Sequence, residues 1–568
     1  MGSNEQAFSA RFGGNTNNYN VEKLIRKWMS CCESDHSDCQ LGHNAGWLPT
    51  RLLELTEDLD DKTVRVRLRT THRGYSQRYI TLTHRWDDSD LNCTKLTRSN
   101  LTSLQSGIDV DSLPQTFQDV IRTTLKLGVP NLWIDRLCII QDDESDWQKE
   151  AGMMGKVYQN GYINISAIAG AATSNGLFSD RDPSHIKPWE LWRKPNPGAQ
   201  FVVRYILVPS DVWKEVEDAL LNHRGWVLQE RILSPRTVYF CSTQVYWECR
   251  QLRCSETFSE GITADFRDKT LERLAKKVIP GRDLRDYGGQ VDDLVRNCWS
   301  DILARYTASS LTFNSDKLIA LSGLAREVRK IGIRQTNYVA GMWRDHLPLE
   351  LLWSVPSPVG KSSPVPYIAP SWSWASTSGC IALPRTFKGE KEDYLAKIIE
   401  CEARPVNPHE PYGQVSAGHV RLRGKLANVI WPEKQHVPIP RDVHTWTFVP
   451  LKLPWQIFAP GVRRPEVGFN GFEATCPENG SIINYNTIAS FDDPTFEAKM
   501  RSAYLLPLLR KVKNHGRPYQ INETETEGLL LRQVPSTGDF YRIGTLTVLE
   551  DIDKRLMDTL VEREIRVV

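Results

Sequence analysis

The stretch LWIDRLCIIQDDESDWQKEAGMM, Leu132 to Met154, opens as a buried strand, passes through an acidic run and restarts as a helix. Ser145, with Gln148 three residues on, predicts a capping box that starts the helix at Asp146, and the acidic run DDESD then lies near the positive end of the helix dipole. At about 100° per residue, Trp147, Ala151, Met153, Met154, Val157 and Tyr158 fall on one arc. Gln148, Lys149, Gly152, Lys156 and Gln159 fall on the other. Glu150 sits inside the apolar arc. A carboxylate there costs several kcal/mol unless it is paired, hydrogen-bonded or set at the wall of a cleft. Two readings follow: an ion pair with Arg136, Arg224 or another arginine, or a site carboxylate beside a ligand. Asp135 ends the strand LWID, and ligands of open α/β sheets bind beyond the carboxyl ends of strands. The competing reading is an Asp accepting backbone N–H groups in a turn. Cys138, between Leu137 and Ile139, reads as a small buried hydrophobe.

Outward from this stretch, YITLTH, LPQTFQDVIRTTLKLG, LWIDRLCII, DWQKEAGMMGKVYQ and YINISAIAG alternate short apolar strands with amphipathic helices, which predicts a parallel α/β sheet covered on both faces. In the loop THRWDD, His84 and Arg85 suit a phosphate. Trp86 suits either stacking on an adenine or nicotinamide ring or packing under the loop. RGWVLQERIL reads as a short helix on which Glu230 shares a face with Trp226 and Leu233, and an ion pair of Glu230 with Arg224 or Arg231 is expected. The expected organisation is a disordered tail over 1–19, a Cys/His-containing segment over 20–78, the α/β domain over 79–250, a helical extension over 251–380 and a β-rich domain over 381–568.

Composition excludes more than it selects. With 568 residues the chain exceeds one hydrophobic core. Lys plus Arg number 71 against 69 for Asp plus Glu, a net charge of +2, which offers no general attraction to nucleic acid or anionic membrane. No apolar run is long enough to span a bilayer and no secretory signal is evident, so a cytoplasmic location and mostly free thiols among the 12 cysteines are expected. The 18 tryptophans suit core anchors or stacking pockets. Cys32, His36 and Cys39 are zinc candidates by residue type, yet C-x3-H-x2-C lacks the usual C-x2-C knuckle, so no metal is expected. Cys249 and Cys254 read as structural. Dinucleotide-binding, P-loop, zinc-protease and nucleophile-elbow motifs are all missing from the sequence.

YITLTHRWD, LPQTFQDVI, LWIDRLCIIQDDESDWQKEAGMMGKVYQNGYINISA, GLFSDRD and RGWVLQERILSPRTVYF occur in that order and resemble the motifs of fungal heterokaryon incompatibility (HET) domains. With flanking pieces such as WMSCCESDHSDCQ and PSWSWAS, the resemblance covers about Val21 to Ser376. Asp87 stands where that family commonly has glycine, and Arg85 where it has a small residue or cysteine, so a backbone phosphate nest in the loop is not expected. HET domains resemble TIR domains, which implies a TIR-like (flavodoxin-like) parallel sheet core. Many TIR domains cleave the nicotinamide glycosidic bond of NAD with a helical glutamate. DWQKE is similar to the W-x-x-E neighbourhood of that residue, which implies Glu150 as the catalytic carboxylate. His84, Arg85, Trp86 and Asp135 then become substrate-binding residues, and Trp147, Arg224, Trp226 and Glu230 supporting ones.

A carboxylate beside an oxocarbenium-like ribose stabilises its charge, and nicotinamide leaves neutral, so no cofactor or metal is required. The implied partners are NAD or a related nucleotide, further copies of the chain and a non-self recognition protein, with neither nucleic acid nor membrane. Two alternatives stay open: a non-enzymatic signalling module that oligomerises, and a biosynthetic enzyme reusing the scaffold on another nucleotide or small molecule.

Overall fold

The structure is a computed structural model that describes residues 12–40, 46–57, 63–72, 77–86, 94–169, 176–186, 189–193, 203–207, 212–262, 276, 291–331, 337–356, 366–384, 391–430, 470–475, 482–492, 502–513, 523–548 and 560–568. The chain forms two compact units. The first takes residues 1–286, 309–311 and 320–331, and the second takes 287–308, 312–319 and 332–568.

The first unit is built on an eight-stranded sheet. Its elements in chain order are α1 (Tyr19–Asp35), β1 (Arg51–Glu57), β2 (Val64–Thr70), β3 (Ile80–Thr83), α2 (Leu101–Ser106), α3 (Gln115–Lys126), β4 (Asn131–Trp133), α4 (Asp135–Cys138), α5 (Glu144–Asn160), β5 (Ile163–Ala167), the separate hairpin β6 (Trp189–Arg193) and β7 (Val203–Leu207), α6 (Lys214–Glu217), α7 (Gly225–Leu233), β8 (Arg236–Phe240), β9 (Val245–Cys249) and β10 (Arg253–Ser255). Strands lie in the order β10-β9-β8-β5-β3-β4-β1-β2. The central four, β8, β5, β3 and β4, are parallel, and both flanks are antiparallel. The expected parallel strands form the core of the sheet, and antiparallel strands flank it on both sides. Its parallel core is covered on both faces: every residue of β3, β4, β5 and β8 is buried, including the polar Thr81, Asn131, Asn164 and Arg236. At the edge strand β2, VRVRLRT alternates, with Val66 and Leu68 buried and the arginines facing out, two of them onto Glu54 of β1, while the Val66 carbonyl accepts the Ile108 amide at 2.8 Å.

The helix holding Glu150 starts earlier than expected. Asp143 is its N-cap, accepting from the amides of Ser145 and Asp146, and the Ser145 hydroxyl donates to the same carboxylate oxygen at 2.7 Å. Aspartate won because two residues competed for one role and the acidic one satisfies two amides. Gly152 and Gln159, placed on the polar arc, are buried. The reason is the helix Ser322–Ile331, which returns to this unit, where the Arg326 guanidinium donates to the Gly152 carbonyl. The crossing is close. A Cβ on Gly323 would stand 2.4 Å from Gln229 Oε1 and 2.8 Å from the Gly155 Cα. Gln229 in turn accepts the Gly323 amide at 2.8 Å. Gly323→Ala is expected to lower stability by about 1–3 kcal/mol through overpacking. Chemical denaturation reads this directly, and an unchanged midpoint would contradict the crossing.

Residues 12–18, assigned to a disordered tail, are pinned: the Thr16 amide donates to the Ser179 carbonyl at 3.0 Å, and Arg181 donates to the carbonyls of Phe12 and Gly13. Residues 1–11 lie outside the described residues. The second unit carries a ten-stranded, largely antiparallel sheet. Its buried tryptophans, Trp299, Trp343, Trp353, Trp372 and Trp374, are core anchors. The Trp374 indole donates to the Gly341 carbonyl at 2.8 Å, and Gly341 holds a positive φ where a Cβ would strike that ring.

Candidate functional site

Read in chain order, the parallel core runs 2-1-3-4, so strand order reverses between β3 and β5 and opens a crevice at their carboxyl ends. Thr83 ends β3 and His84 follows it. Asp135 follows β4, and α7 brings its amino-terminal turn, with Arg224 and Trp226, to the same rim. These placements come from local sequence: strands end where polar residues begin, and α7 starts immediately after Arg224, which is its N-cap.

Four of the expected residues meet here. The Trp86 indole donates to Asp135 Oδ2 at 2.8 Å, His84 Nδ1 stands 3.8 Å from Asp135 Oδ1, and Arg224 donates to the His84 carbonyl at 3.0 Å. The Arg136 guanidinium lies over the Trp86 ring, 5.2 Å from its centroid, so only the opposite ring face is left for a ligand. The Asp135 side chain keeps 24% of its exposure and is the most accessible carboxylate of the group. Its other oxygen accepts the Arg136 amide, so the turn reading and the rim reading of Asp135 hold together. His84 is buried against the edge of Phe117, and desolvation lowers its pKa to about 4 despite the charge of Asp135. It is therefore neutral at physiological pH, and its Nε2 is a buried nitrogen with no hydrogen-bond partner among the described residues. Arg85 is exposed, and Asp87 lies outside the described residues.

Glu230 joins this cluster in a way the sequence did not announce. Its expected ion pair is not formed: Arg224 turns to the His84 carbonyl and Arg231 lies over the Tyr239 ring. Glu230 instead takes a hydrogen bond from Thr83, whose hydroxyl also meets Asn164, and has the Tyr158 hydroxyl beside it. Burial, with a smaller contribution from the charge of Asp135, raises its pKa to about 7. A carboxyl raised from about 4.5 to about 7 binds a proton in the folded chain that the unfolded chain has released, so its contribution to stability falls as pH rises through that window. The loss amounts to up to about 3 kcal/mol. His84 has the opposite sign, since its lowered pKa costs stability as pH falls from 6.5 toward 4. Comparing Glu230→Gln with the wild type by urea unfolding between pH 4.5 and 8 isolates the first effect. The variant is expected to gain relative stability as pH rises, and parallel curves would refute the raised carboxyl.

Glu150 is 1% exposed and lies apart from this cluster, on α5 next to the start of β1. Because β1 runs antiparallel to β4, its first residue Arg51 reaches the carboxyl-end rim. Arg51 binds Asp146 and the Cys138 carbonyl and stands 3.7 Å from Glu150 Oε1. So the arginine beside Glu150 is Arg51, not Arg136 or Arg224. Burial raises the Glu150 pKa, opposed by a hydrogen bond from Thr50 and the charge of Arg51, and Oε1 itself has no hydrogen bond among the described residues. Trp147 and Trp226 meet edge to face at 6.5 Å, joining α5 to α7.

Cys32, His36 and Cys39 come together, and Cys249 joins them. Cys254 is buried one strand away, on β10.

A parallel-core α/β domain with Asp135 and Glu230 clustered at its carboxyl-end rim is the class these observations define. Residues 79–230, just over a quarter of the chain, match the family described as Heterokaryon incompatibility protein (HET), so this stretch is a HET domain. The match begins at the residue before β3 and ends at Glu230. No curated protein and no solved structure matches the chain. Among the described residues, no helix is long and apolar enough to cross a membrane.

Proposed function

We propose that the protein is an incompatibility or cell-death type HET-domain protein whose α/β domain is TIR-like and cleaves the nicotinamide glycosidic bond of NAD, with Glu150 as the key carboxylate. The observation that carries this reading is the cluster of Asp135 and Glu230 at the reversal point of a 2-1-3-4 core, with Glu150 buried apart from them beside Arg51, where β1 reaches the same carboxyl-end rim; Glu150 and Glu230 both have raised pKa values. That strand order is the flavodoxin-like one, which supports the TIR-like assignment. Asp135 is placed to hold ribose hydroxyls, and the free face of Trp86 to stack on a base. Arg224, Arg85 and the amino terminus of α7 supply positive potential for a pyrophosphate. Glu150, with Arg51 opposing the effect of its burial, stabilises the oxocarbenium-like ribose once the ligand approaches.

The test is nicotinamide release from NAD by the purified full chain across concentrations that allow self-association. Release that rises with assembly is the expected result, and its absence in an assembled sample would remove the enzymatic reading. The second reading is a non-enzymatic oligomerising module. It is favoured by the Arg51–Asp146–Glu150 cluster, which accounts for a buried glutamate without any ligand.

A further inference from the structure

We propose that Cys32, His36, Cys39 and Cys249 bind one structural zinc ion that fastens α1 to the edge of the eight-stranded sheet. The inference is independent of the chemistry at the rim. Cys32 lies in the last turn of α1 and His36 is the extended C-cap residue that follows it, Cys39 comes next in the short 3-10 turn Ser37–Gln40, and Cys249 is the last residue of β9. All four ligand atoms lie within 4.8 Å of one another, and His36 Nδ1 is 3.3 Å from Cys249 Sγ. Around tetrahedral zinc, with its usual bonds to sulfur and nitrogen, ligand atoms are about 3.5–3.8 Å apart. The set needs only a small contraction to close on an ion.

The surroundings fit thiolates better than thiols. The Arg236 guanidinium donates to Cys32 Sγ at 3.1 Å, and the Leu252 amide donates to Cys249 Sγ at 3.3 Å. Three thiolates, one neutral imidazole and a divalent ion carry one net negative charge, which the buried Arg236 balances. The turn is held from the sheet side as well, since the Asp38 amide donates to Gln251 and Arg250 donates to the Asp38 carbonyl. A disulfide would use two sulfurs and strand the third beside the imidazole. Three thiolates with one imidazole complete a closed tetrahedron with no open position, the pattern of structural rather than catalytic zinc. The cysteines are buried while His36 is half-buried, which leaves one side for metal entry.

The test uses the full chain, produced with zinc in the medium. Elemental analysis is expected to find one zinc per chain. Cys249→Ser is expected to lose it, while Cys254→Ser, altered at a buried cysteine outside the set, keeps it. His36→Cys retains four ligands and guards against variants that fail to fold. It is expected to hold metal, with the visible bands of the cobalt-substituted protein shifted from those of the wild type toward an all-sulfur site. A folded wild-type chain free of metal, one carrying iron, one with a disulfide among these cysteines, or zinc retained at full stoichiometry in Cys249→Ser would each overturn the proposal.

Discussion

Glu150→Ala is expected to reduce nicotinamide release from NAD by about a hundredfold or more, the scale seen when one preorganised charge-stabilising group is removed from a transition state. The substitution is a fair test because the fold has a reserve at this point. Arg51 remains bound to Asp146 and to the Cys138 carbonyl when Glu150 is gone, so no arginine is left buried and unpaired. The carboxylate that disappears has one oxygen without a hydrogen bond, so its removal leaves few polar groups unsatisfied. The variant should therefore unfold at a urea concentration close to the wild-type value while losing turnover. Asp135→Asn makes a useful comparison. Its amide oxygen still accepts the Trp86 indole, so a rise in KM with kcat nearly kept would place Asp135 in binding, not in charge stabilisation. Wild-type rates in folded Glu150→Ala would leave Glu150 as the ion-pair partner of Arg51 and nothing more.

Arg181→Ala is expected to cost about 3–5 kcal/mol of stability, among the largest effects of any single substitution in the first unit. Both members of its pair with Glu256 are almost wholly buried, and Arg181 also donates to the Thr243 carbonyl at 3.0 Å and to the carbonyls of Phe12 and Gly13. Glu256 has a second partner in the Val245 amide at 2.8 Å. Truncating the arginine leaves a buried carboxylate with its countercharge removed, and takes away the side-chain bonds to Phe12 and Gly13. Pairing Arg181→Met with Glu256→Leu removes both charges together and is expected to recover much of the loss. Urea unfolding of the two singles and the double measures the coupling. Singles within about 0.5 kcal/mol of the wild type would show that the pair contributes nothing net.

The sequence was most readable where one residue's own neighbours decide its fate. The apolar strands of the parallel core, the helix after the acidic run and the burial of Glu150 all follow from period and polarity over a few residues. Partners were harder, because they come from far along the chain. Arg51 lies 95 positions before Asp146, and Thr83 lies 147 before Glu230, with nothing local to mark either pairing. The same distance hid Cys249 from the Cys32, His36 and Cys39 set, although its residue type was the one missing ligand. The buried Gly152 and Gln159 were misassigned for a related reason: a wheel shows which face of a helix is apolar, not that a second helix will cover the polar one. The antiparallel flanks lie where no helix separates consecutive strands, between β1 and β2 and from β8 to β10.

The return of Ser322–Ile331 to the first unit, across Gly155, has a consequence for how the protein is made. The ribosome delivers residues at about 5–20 per second, and domains generally fold as their last segment emerges. This unit stays open on one face of α5 while residues 287–308 and 312–319, which belong elsewhere, are synthesised between its own parts. Nascent chains therefore spend an interval with the glycine seam bare. A gene fragment ending at Glu230 or Asp286 would lengthen that interval indefinitely, so a soluble, self-sufficient first unit requires translation to run past Ile331.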